Sequence, residues 1–431
     1  MAMDSQDNKT KSQSRLAART RKKRARNLRM IRSSLVILAI CCAFLLGFFV
    51  RGNSMWLQSL GFSQSVTGVE DSKAAASKKD VYNALSARMS EVEEVLNADS
   101  MDSYDLDAAT NEVMASFSKA SEDPYFRYFD PSRYSQLLSD DAEGYAGVGV
   151  MFSEYNGQAY AVDVFEGSAA QLSDVRVGDF IVAINGDRAQ AWTRAEVIAA
   201  LNNLEGQSVA ITWRRPESLE STGGQEFTTA LPCEPSSSRN ITTSVNDGVG
   251  YINIKQFTQN SSELVRQAVE ELEAQGVEAY VLDLRDNPGG YLNQAVSIAS
   301  LFINSGNVVQ IQTKNGTSAK AVSGTSATVR PLVVLVNKNT AASAEVLAAA
   351  FKETQRGTIV GEATLGKGSV QVVRELSFGG AIRYTAAYYL TAQGRSIDKT
   401  GINPDITVVN GDSGDAQYDY AIGYASGLLS N

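Results

Sequence analysis

Two short segments supply a hydroxyl group and a lysine, which are residue types that can hydrolyse a bond without histidine. The first, N-T-A-A-S-A-E-V at 339–346, is typical of a strand-to-helix junction and contains Ser343. The second, G-E-A-T-L-G-K-G at 361–368, places Lys367 between glycines. The 431-residue chain has no histidine, which excludes Ser-His-Asp and Cys-His catalytic sets and His-ligated zinc. A metal, paired carboxylates, or a Ser/Thr nucleophile with a lysine base therefore remain for a hydrolase.

Metal chemistry has little support in the sequence. Asp283 and Asp286, in D-L-R-D-N-P-G-G (283–290), are the carboxylates nearest a Gly-Gly turn, but turn formation at the end of a strand explains both. Cys41 and Cys42 share one apolar run, and Cys233 is the third cysteine, so no Cys₄ site or internal disulfide framework is available. We therefore expect no metal and no cofactor.

The second half of the chain alternates apolar strands with amphipathic helices, which predicts an α/β layer fold. The predicted strands lie at 251–254, 279–285, 332–337 and 358–362, and the predicted helices at 261–276, 287–302 and 342–352. Lys367 follows the last of these strands, and Ser343 begins the last of these helices.

Residues 144–215 read as short strands and turns that resemble a PDZ domain. The phrase V-G-D-F-I-V-A-I-N-G-D (177–187) carries much of this resemblance, and an amphipathic helix follows at 194–204. In PDZ domains a glycine-rich loop binds a peptide's C-terminal carboxylate, and the peptide adds as a strand to the sheet edge. The resemblance implies that this loop consists of Tyr145, Ala146, Gly147, Val148 and Gly149.

Several phrases in order resemble the carboxyl-terminal processing peptidases, which are serine peptidases with a PDZ domain and a Ser-Lys pair. They include D-P-Y-F-R-Y-F-D-P (123–131), the two segments described first, D-L-R-D-N-P-G-G, and G-R-S-I-D-K-T-G-I-N-P-D (394–405). The resemblance implies an α/β, mixed-sheet peptidase core with ClpP/crotonase-like layers and an inserted PDZ domain.

The resemblance also implies roles for individual residues. Lys367 would be the general base, because desolvation lowers the pKa of a lysine and leaves part of it neutral. Gln371, one helical turn further on, would orient the amine. One oxyanion-hole N–H would come from the turn at Gly289 and Gly290, and the other from the residue after the nucleophile.

The sequence departs from the family at the nucleophile. The family pattern places the serine three residues before a glutamate, and here Ala342 stands three residues before Glu345. Three interpretations follow: Ala342 replaces the serine to give a deliberately inactive enzyme, the chain is a natural pseudo-peptidase, or Ser343 serves through a locally shifted helix start. Otherwise Ser343 is a helix-start hydroxyl that caps an N–H group.

The N-terminus predicts a membrane anchor. Residues 1–32 hold 11 Lys or Arg against 2 Asp, whereas the whole chain has a net charge of −9. Residues 33–50 carry no charge, and eighteen residues of helix just cross a bilayer core. A cleaved signal peptide is the alternative. The expected location is a bacterial cell membrane, single-pass, with the basic arm cytoplasmic and the peptidase domain extracytoplasmic.

The expected domains are a basic arm (1–32), a transmembrane helix (33–50), a linker (51–78), an N-terminal helical region (79–140), a PDZ domain (141–232), a Ser-Lys peptidase core (233–411) and a helical tail (412–431). The expected function is a membrane-anchored endopeptidase that cleaves proteins whose C-termini the PDZ domain captures. The alternative is an inactive PDZ-containing binding or adaptor protein. Protein C-termini and the membrane are the expected partners and nucleic acid is not, while a homodimer is left open.

Overall fold

The computed structural model describes residues 74–138, 146–189, 191–235, 240–411 and 414–429, with the backbone alone for 74–85. Its helices are α1 (Ala74–Asp99), α2 (Leu106–Lys119), α3 (Pro131–Leu138), α4 (Ala169–Leu172), α5 (Arg194–Asn202), α6 (Ser261–Ala274), α7 (Leu292–Phe302), α8 (Ser343–Glu353) and α9 (Ala416–Gly427). Its strands are β1 (Arg127–Phe129), β2 (Ala146–Gly147), β3 (Val150–Tyr155), β4 (Gln158–Val164), β5 (Phe180–Ile184), β6 (Ser208–Arg215), β7 (Gln225–Pro232), β8 (Glu234–Pro235), β9 (Ile241–Asn246), β10 (Val249–Ile254), β11 (Ala279–Asp283), β12 (Ser305–Thr313), β13 (Gly316–Ser323), β14 (Leu332–Val336), β15 (Thr358–Gly361), β16 (Ser369–Glu375), β17 (Ala381–Thr391) and β18 (Ile406–Thr407). Every element discussed below that positions the site lies in the compact unit that begins at Tyr104.

The PDZ region is a five-stranded antiparallel sheet in the order β3-β4-β5-β6-β7, which leaves β3 at one edge. Asn156 and Gly157 join β3 to β4 with φ angles of 47° and 74°, as a two-residue hairpin turn requires. One face of the sheet packs against α5 around Phe152 and Trp213, whose rings stack. A capping box between Thr193 and Glu196 starts α5, so this helix lies fixed beside the edge strand.

The peptidase core is built on a six-stranded sheet in the order β18-β15-β14-β11-β10-β9. Its neighbouring strands are parallel except for the antiparallel pair β9 and β10. Helices α6, α7 and α8 cover one face and α9 covers the other. Strands β11 and β14 are buried at every position for that reason, which explains why they read as continuous apolar runs.

A second, antiparallel sheet brings the segment 123–131 to the core. Its order is β1-β17-β12-β13, with β16 also paired to β17. Strand β1 comes from the aromatic and proline-rich segment, and Arg127 lies opposite Arg383 in its register with β17. The Asp123 carboxylate accepts hydrogen bonds from the N–H and hydroxyl of Thr385. The segment is therefore fixed next to the strands that follow Lys367.

The α/β part of the predicted fold class agrees with this structure, but the predicted transmembrane helix needs correction. Across the ranges that the structure describes, no helix is both long enough and apolar enough to cross a membrane. The arm (1–32), the proposed span (33–50) and most of the linker lie outside those ranges. We therefore remove the transmembrane helix from the predicted fold class and withdraw the predicted single-pass location in the cell membrane. Helix α1 begins at Ala74, within the segment expected to be a linker.

Candidate active site

The chain makes a sharp turn at Ala342, between β14 and α8. Ala342 has φ 53° and ψ −120°, a combination that is strained for any residue with a side chain and costs about 1–3 kcal/mol. Hydrogen bonds on both sides hold it there: Ala341 N–H donates to Asn287 O at 2.9 Å, and Ala342 N–H donates to Glu345 Oε2 at 2.8 Å. Strained strand-to-helix turns of this kind present the nucleophile in hydrolases.

Ser343, the next residue, occupies a different environment. It is the first residue of α8 and is only 1% exposed. Its hydroxyl donates to Gly290 O at 3.0 Å, so the side chain is buried and already hydrogen-bonded. The strained position is thus Ala342, and Ser343 is the first residue of the helix that follows it. Sequence reasoning left these two positions open, and the backbone geometry favours Ala342.

Glu345 joins the two segments singled out in the sequence. Its buried carboxylate accepts four hydrogen bonds, from Ala342 N–H, Lys367 N–H, Gly366 N–H and the Thr364 hydroxyl, at 2.5–2.8 Å. The first two donors share the same oxygen, Oε2, so the backbone nitrogens of residues 342 and 367 are held close together. Burial raises the pKa of Glu345 to about 7, against the lowering effect of these hydrogen bonds.

Sequence reasoning used Glu345 only as a marker of spacing and missed this role. The one available signal was a glutamate at the third position of a helix, where its side chain reaches back to the N-cap residue. Nothing in the sequence indicates that the loop at 364–367 also donates to this carboxylate. The contact joins parts of the chain 22 residues apart.

Lys367 lies in the loop between β15 and β16 and is largely buried. Burial is the main cause that lowers its pKa, and the positive charges of Arg194 and Arg383 lower it further, whereas Glu154 raises it. Its Nζ lies 5.7 Å from the centroid of the Tyr125 ring. A lysine with a lowered pKa is a better proton acceptor near neutral pH.

A buried ion pair next to Lys367 joins the PDZ domain to the core. Glu154 on β3 pairs with Arg383 on β17 through two hydrogen bonds of 3.1 and 2.8 Å, and both side chains are less than 10% exposed. Burial raises the pKa of Glu154, but the charges of Arg383 and Lys367 outweigh it and lower the pKa to about 2. Glu154 is therefore ionised throughout the usual pH range.

Gln371 lies on strand β16, not on a helix, so its four-residue separation from Lys367 is not a helical turn. Its amide Nε2 donates to the Ser369 hydroxyl at 2.9 Å. Ser369 and Gln371 lie two apart on one strand, which places both on the same face. The expected orientation of the Lys367 amine by Gln371 therefore stays a prediction, and in this structure the Gln371 amide contacts Ser369.

The two glycines of the Gly-Gly turn, Gly289 and Gly290, differ in whether their N–H groups are free to bind an oxyanion. The N–H of Gly289 donates to Asn287 Oδ1 at 2.8 Å and is thereby occupied. Within the described ranges, the N–H groups of Gly290 and Ser343 have no hydrogen-bond acceptor. At Gly290, φ is 135°, and a Cβ would lie 2.1 Å from Phe257 O, so only glycine fits. Gly290 and Ser343 are thus the N–H groups left open beside Ala342.

A cavity of about 800 Å³ lies beside Lys367. Tyr125 from the N-terminal segment, Tyr155 from the end of β3, and Ser369 and Asp398 from the core also line it. Three parts of the chain, including the PDZ domain, thus enclose one space next to the amine. This space is large enough for several residues of an extended peptide.

The carboxylate-binding loop expected in the PDZ domain is described from Ala146 onward, and Tyr145 lies outside the described residues. Ala146 and Gly147 form β2 and pair with β8. Gly149 has φ 83°, and a Cβ there would lie 2.2 Å from Ser168 Cβ. In the described part of the chain, the N–H groups of Val148 and Gly149 have no acceptor, so the loop offers two donors at the start of β3.

The two aspartates considered for a metal have partners in the protein. Asp283 pairs with Arg285 and accepts a hydrogen bond from the Tyr251 hydroxyl at 2.6 Å. Asp286 accepts hydrogen bonds from the side-chain amides of Asn337 and Asn339. Both carboxylates therefore have a structural explanation.

Comparisons with known proteins agree with this architecture. Residues 248–408 match the model of peptidase family S41, and residues 160–215 match a PDZ domain. The carboxy-terminal processing protease CtpA of Bacillus subtilis is 28% identical over 376 residues, which is 86% of this chain and 76% of that protein. The carboxyl-terminal-processing protease of Synechocystis sp. is 34% identical over 297 residues, which is 67% of this chain and 68% of that protein.

A solved structure extends the likeness to the fold. The photosystem II D1 C-terminal processing protease is 28% identical, with a TM-score of 0.60 over 74% of this chain and 86% of that one. The fold and the site thus define a serine-type peptidase that carries a PDZ domain. The chain belongs to the carboxyl-terminal-processing proteases of peptidase family S41.

Proposed function

We propose that this chain has the site of a Ser-Lys endopeptidase for protein C-termini, in which position 342 is the nucleophile position and is here occupied by alanine. The observation that carries the proposal is the strained turn at Ala342, tied through Glu345 Oε2 to the backbone of Lys367. A residue without a functional side chain gains nothing from this strain. The turn is therefore explained best by a serine hydroxyl at the same place.

With serine at position 342, the steps follow from the groups around it. The neutral Lys367 amine accepts the hydroxyl proton as the oxygen attacks the substrate carbonyl. The N–H groups of Gly290 and Ser343 stabilise the oxyanion. The lysinium then donates its proton to the leaving amine, and water hydrolyses the acyl-enzyme by the same route.

With alanine at position 342, the same chain binds substrates without cutting them. The PDZ loop at Gly147–Gly149 holds the C-terminal carboxylate, and the cavity beside Lys367 holds the upstream segment. This second activity, as a binding or adaptor protein, is favoured by one observation: the side chain at the strained position has no hydroxyl. The proposal that Ser343 is the nucleophile is disfavoured, because its hydroxyl is buried and donates to Gly290 O.

The test is cleavage of an unstructured protein by the full chain, by Ala342→Ser and by the double variant Ala342→Ser, Lys367→Ala. Loss of a nucleophile in a serine peptidase costs about 10⁶ in rate, so only Ala342→Ser should cut. Cleavage by the unchanged chain would instead assign the chemistry to Ser343 or another group. No cleavage by Ala342→Ser would leave the binding function as the better account.

A further inference from the structure

Strand β3 connects the two parts of the proposed substrate site. It begins directly after the loop that contains Val148 and Gly149, whose N–H groups have no acceptor within the described ranges. It ends at Tyr155, which lines the cavity beside Lys367. Glu154, the residue before Tyr155, forms the buried ion pair with Arg383. The charges of this pair lie close enough to Lys367 to change its pKa. The strand therefore runs from the loop to the amine.

The edge of β3 can accept an added strand. β3 pairs with β4 on one side only, because it is the first strand of its sheet. The carbonyl of Phe152 points away from β4 and accepts a hydrogen bond from Arg194 Nε at 2.8 Å. The Arg194 side chain thus occupies the Phe152 carbonyl on this edge. The N–H of an incoming peptide can displace Arg194 and donate a hydrogen bond to the same carbonyl.

The direction of the added strand follows from the position of the loop. A carboxylate held at the start of β3 places the last residue of the substrate there, so the substrate runs antiparallel to β3. The substrate residues that precede its C-terminus then lie along β3, in order, toward Tyr155. In an antiparallel pair each substrate residue lies opposite one strand residue.

We propose that β3 sets the minimum distance between the C-terminus of a substrate and the bond that is cut. This inference rests on the proposed function. β3 has six residues and spans about 20 Å at about 3.3 Å per residue. The bond that reaches Lys367 therefore lies at least six residues upstream of the C-terminus. Cleavage adds one water, so the released fragment has a new amino group and the remaining chain a new carboxylate.

Product lengths from the full-length Ala342→Ser variant test this distance. The substrates are peptides with a uniform repeating tract, so that neighbouring bonds are chemically alike, and one constant C-terminal sequence. Mass spectrometry of the C-terminal fragments should show a sharp lower limit at six residues or slightly more. Extending the tract at its N-terminus should not move this limit. The same peptides with an amidated C-terminus should lose the limit, because the loop no longer holds a carboxylate.

Fragments shorter than six residues as main products, or equal fragment patterns for acid and amide peptides, would overturn the proposal. If Ala342→Ser cut no substrate, the proposed function would fail while the distance could still be measured by binding. Labelled peptides ending in a free carboxylate are then titrated against the unchanged chain. Affinity should rise about fivefold or more for each added pair of residues and level off after the sixth. A plateau at two or three residues would also overturn the proposal.

Discussion

The peptidase core and the PDZ domain hold their parts of the site by different interactions. In the core, the backbone N–H groups of Ala342, Gly366 and Lys367 all converge on the buried Glu345 carboxylate. Among the described residues, ion pairs join the PDZ domain to the core, and they include the buried pair Glu154–Arg383 and the pair Lys255–Asp163. Backbone hydrogen bonds thus position the atoms within the core, whereas side-chain ion pairs contribute to the contact between the two domains.

This difference corresponds to the two proposed roles, bond cleavage in the core and substrate capture in the PDZ domain. The groups proposed for bond cleavage are positioned before any substrate arrives, and the backbone strain at Ala342 is held by bonds on both sides. The groups proposed for substrate capture lie on a domain whose contacts with the core include ion pairs, and each of these pairs can be changed separately. Substitutions in the core should therefore act on the chemical step, and those at the domain contact should act on stability and delivery.

Lys367→Arg in the Ala342→Ser background is expected to have the largest effect. Arginine also has an extended basic side chain, but it stays protonated, so it cannot accept the proton of the nucleophile. We expect kcat to fall by about 10²–10⁴, measured by release of peptide fragments. Lys352→Arg, a change in a lysine that pairs with Asp405, is the matched control and should leave kcat unchanged. Equal rates for both variants would remove Lys367 from the mechanism.

Arg383→Met tests the domain contact. It leaves the buried Glu154 carboxylate without its main partner, and such a loss costs about 3–5 kcal/mol of unfolding free energy. Denaturant unfolding of the otherwise unchanged chain measures this. Arg266→Met, in an exposed pair on α6, is the control and should change stability much less. If both changes had the same small effect, the Glu154–Arg383 pair would not hold the domains together.

Glu345→Gln tests the shared carboxylate in the core. The amide of glutamine turns two donor hydrogens toward groups that are themselves donors, so part of the four-bond set is lost. We expect a loss of about 1–3 kcal/mol in unfolding free energy and, in the Ala342→Ser background, a lower kcat with little change in KM. Glu271→Gln, at an exposed position on α6, is the control. A changed KM with an unchanged kcat would contradict a positioning role.

The pH dependence of Ala342→Ser should show the smallest effect and has a defined sign. Burial lowers the pKa of Lys367 below its ordinary value of 10.5, and the neutral amine is the active form. The ratio kcat/KM should therefore be low at acidic pH and rise as the pH increases. It should reach its plateau at a pH below 10.5. A rise that begins only near pH 10.5 would contradict a buried base.

Local patterns in the sequence predicted much of the fold of the core. The apolar strands at 279–285 and 332–337 indicated a sheet covered on both faces, and the glycines around Lys367 pointed to a functional loop. The absence of histidine left a metal, paired carboxylates or a lysine base, and the family resemblance was needed to favour the lysine base. These features depend on residue type and short spacing, which a sequence shows directly.

Other parts of the site depend on long-range geometry and could not be predicted. The spacing to Glu345 left Ala342 and Ser343 as alternatives, and the strained φ and ψ angles that distinguish these two positions are not visible in a sequence. The spacing of Gln371 from Lys367 was described as one helical turn, whereas pairing with β17 places Gln371 on a strand, and its role in orienting the lysine stays a prediction. The orientation of the Asn287 side chain determines which glycine N–H is available, because Asn287 accepts the hydrogen bond of Gly289 and leaves that of Gly290 without an acceptor among the described residues.

The most direct test of the central claim is covalent labelling at the proposed nucleophile. Ala342→Ser and the unchanged chain are treated with a serine-reactive fluorophosphonate, and peptide mapping locates the adduct. The account predicts an adduct on the serine introduced at position 342, none on Ser343, and no labelling of the unchanged chain at this site. An adduct on Ser343 in both proteins would contradict it and make Ser343 the nucleophile.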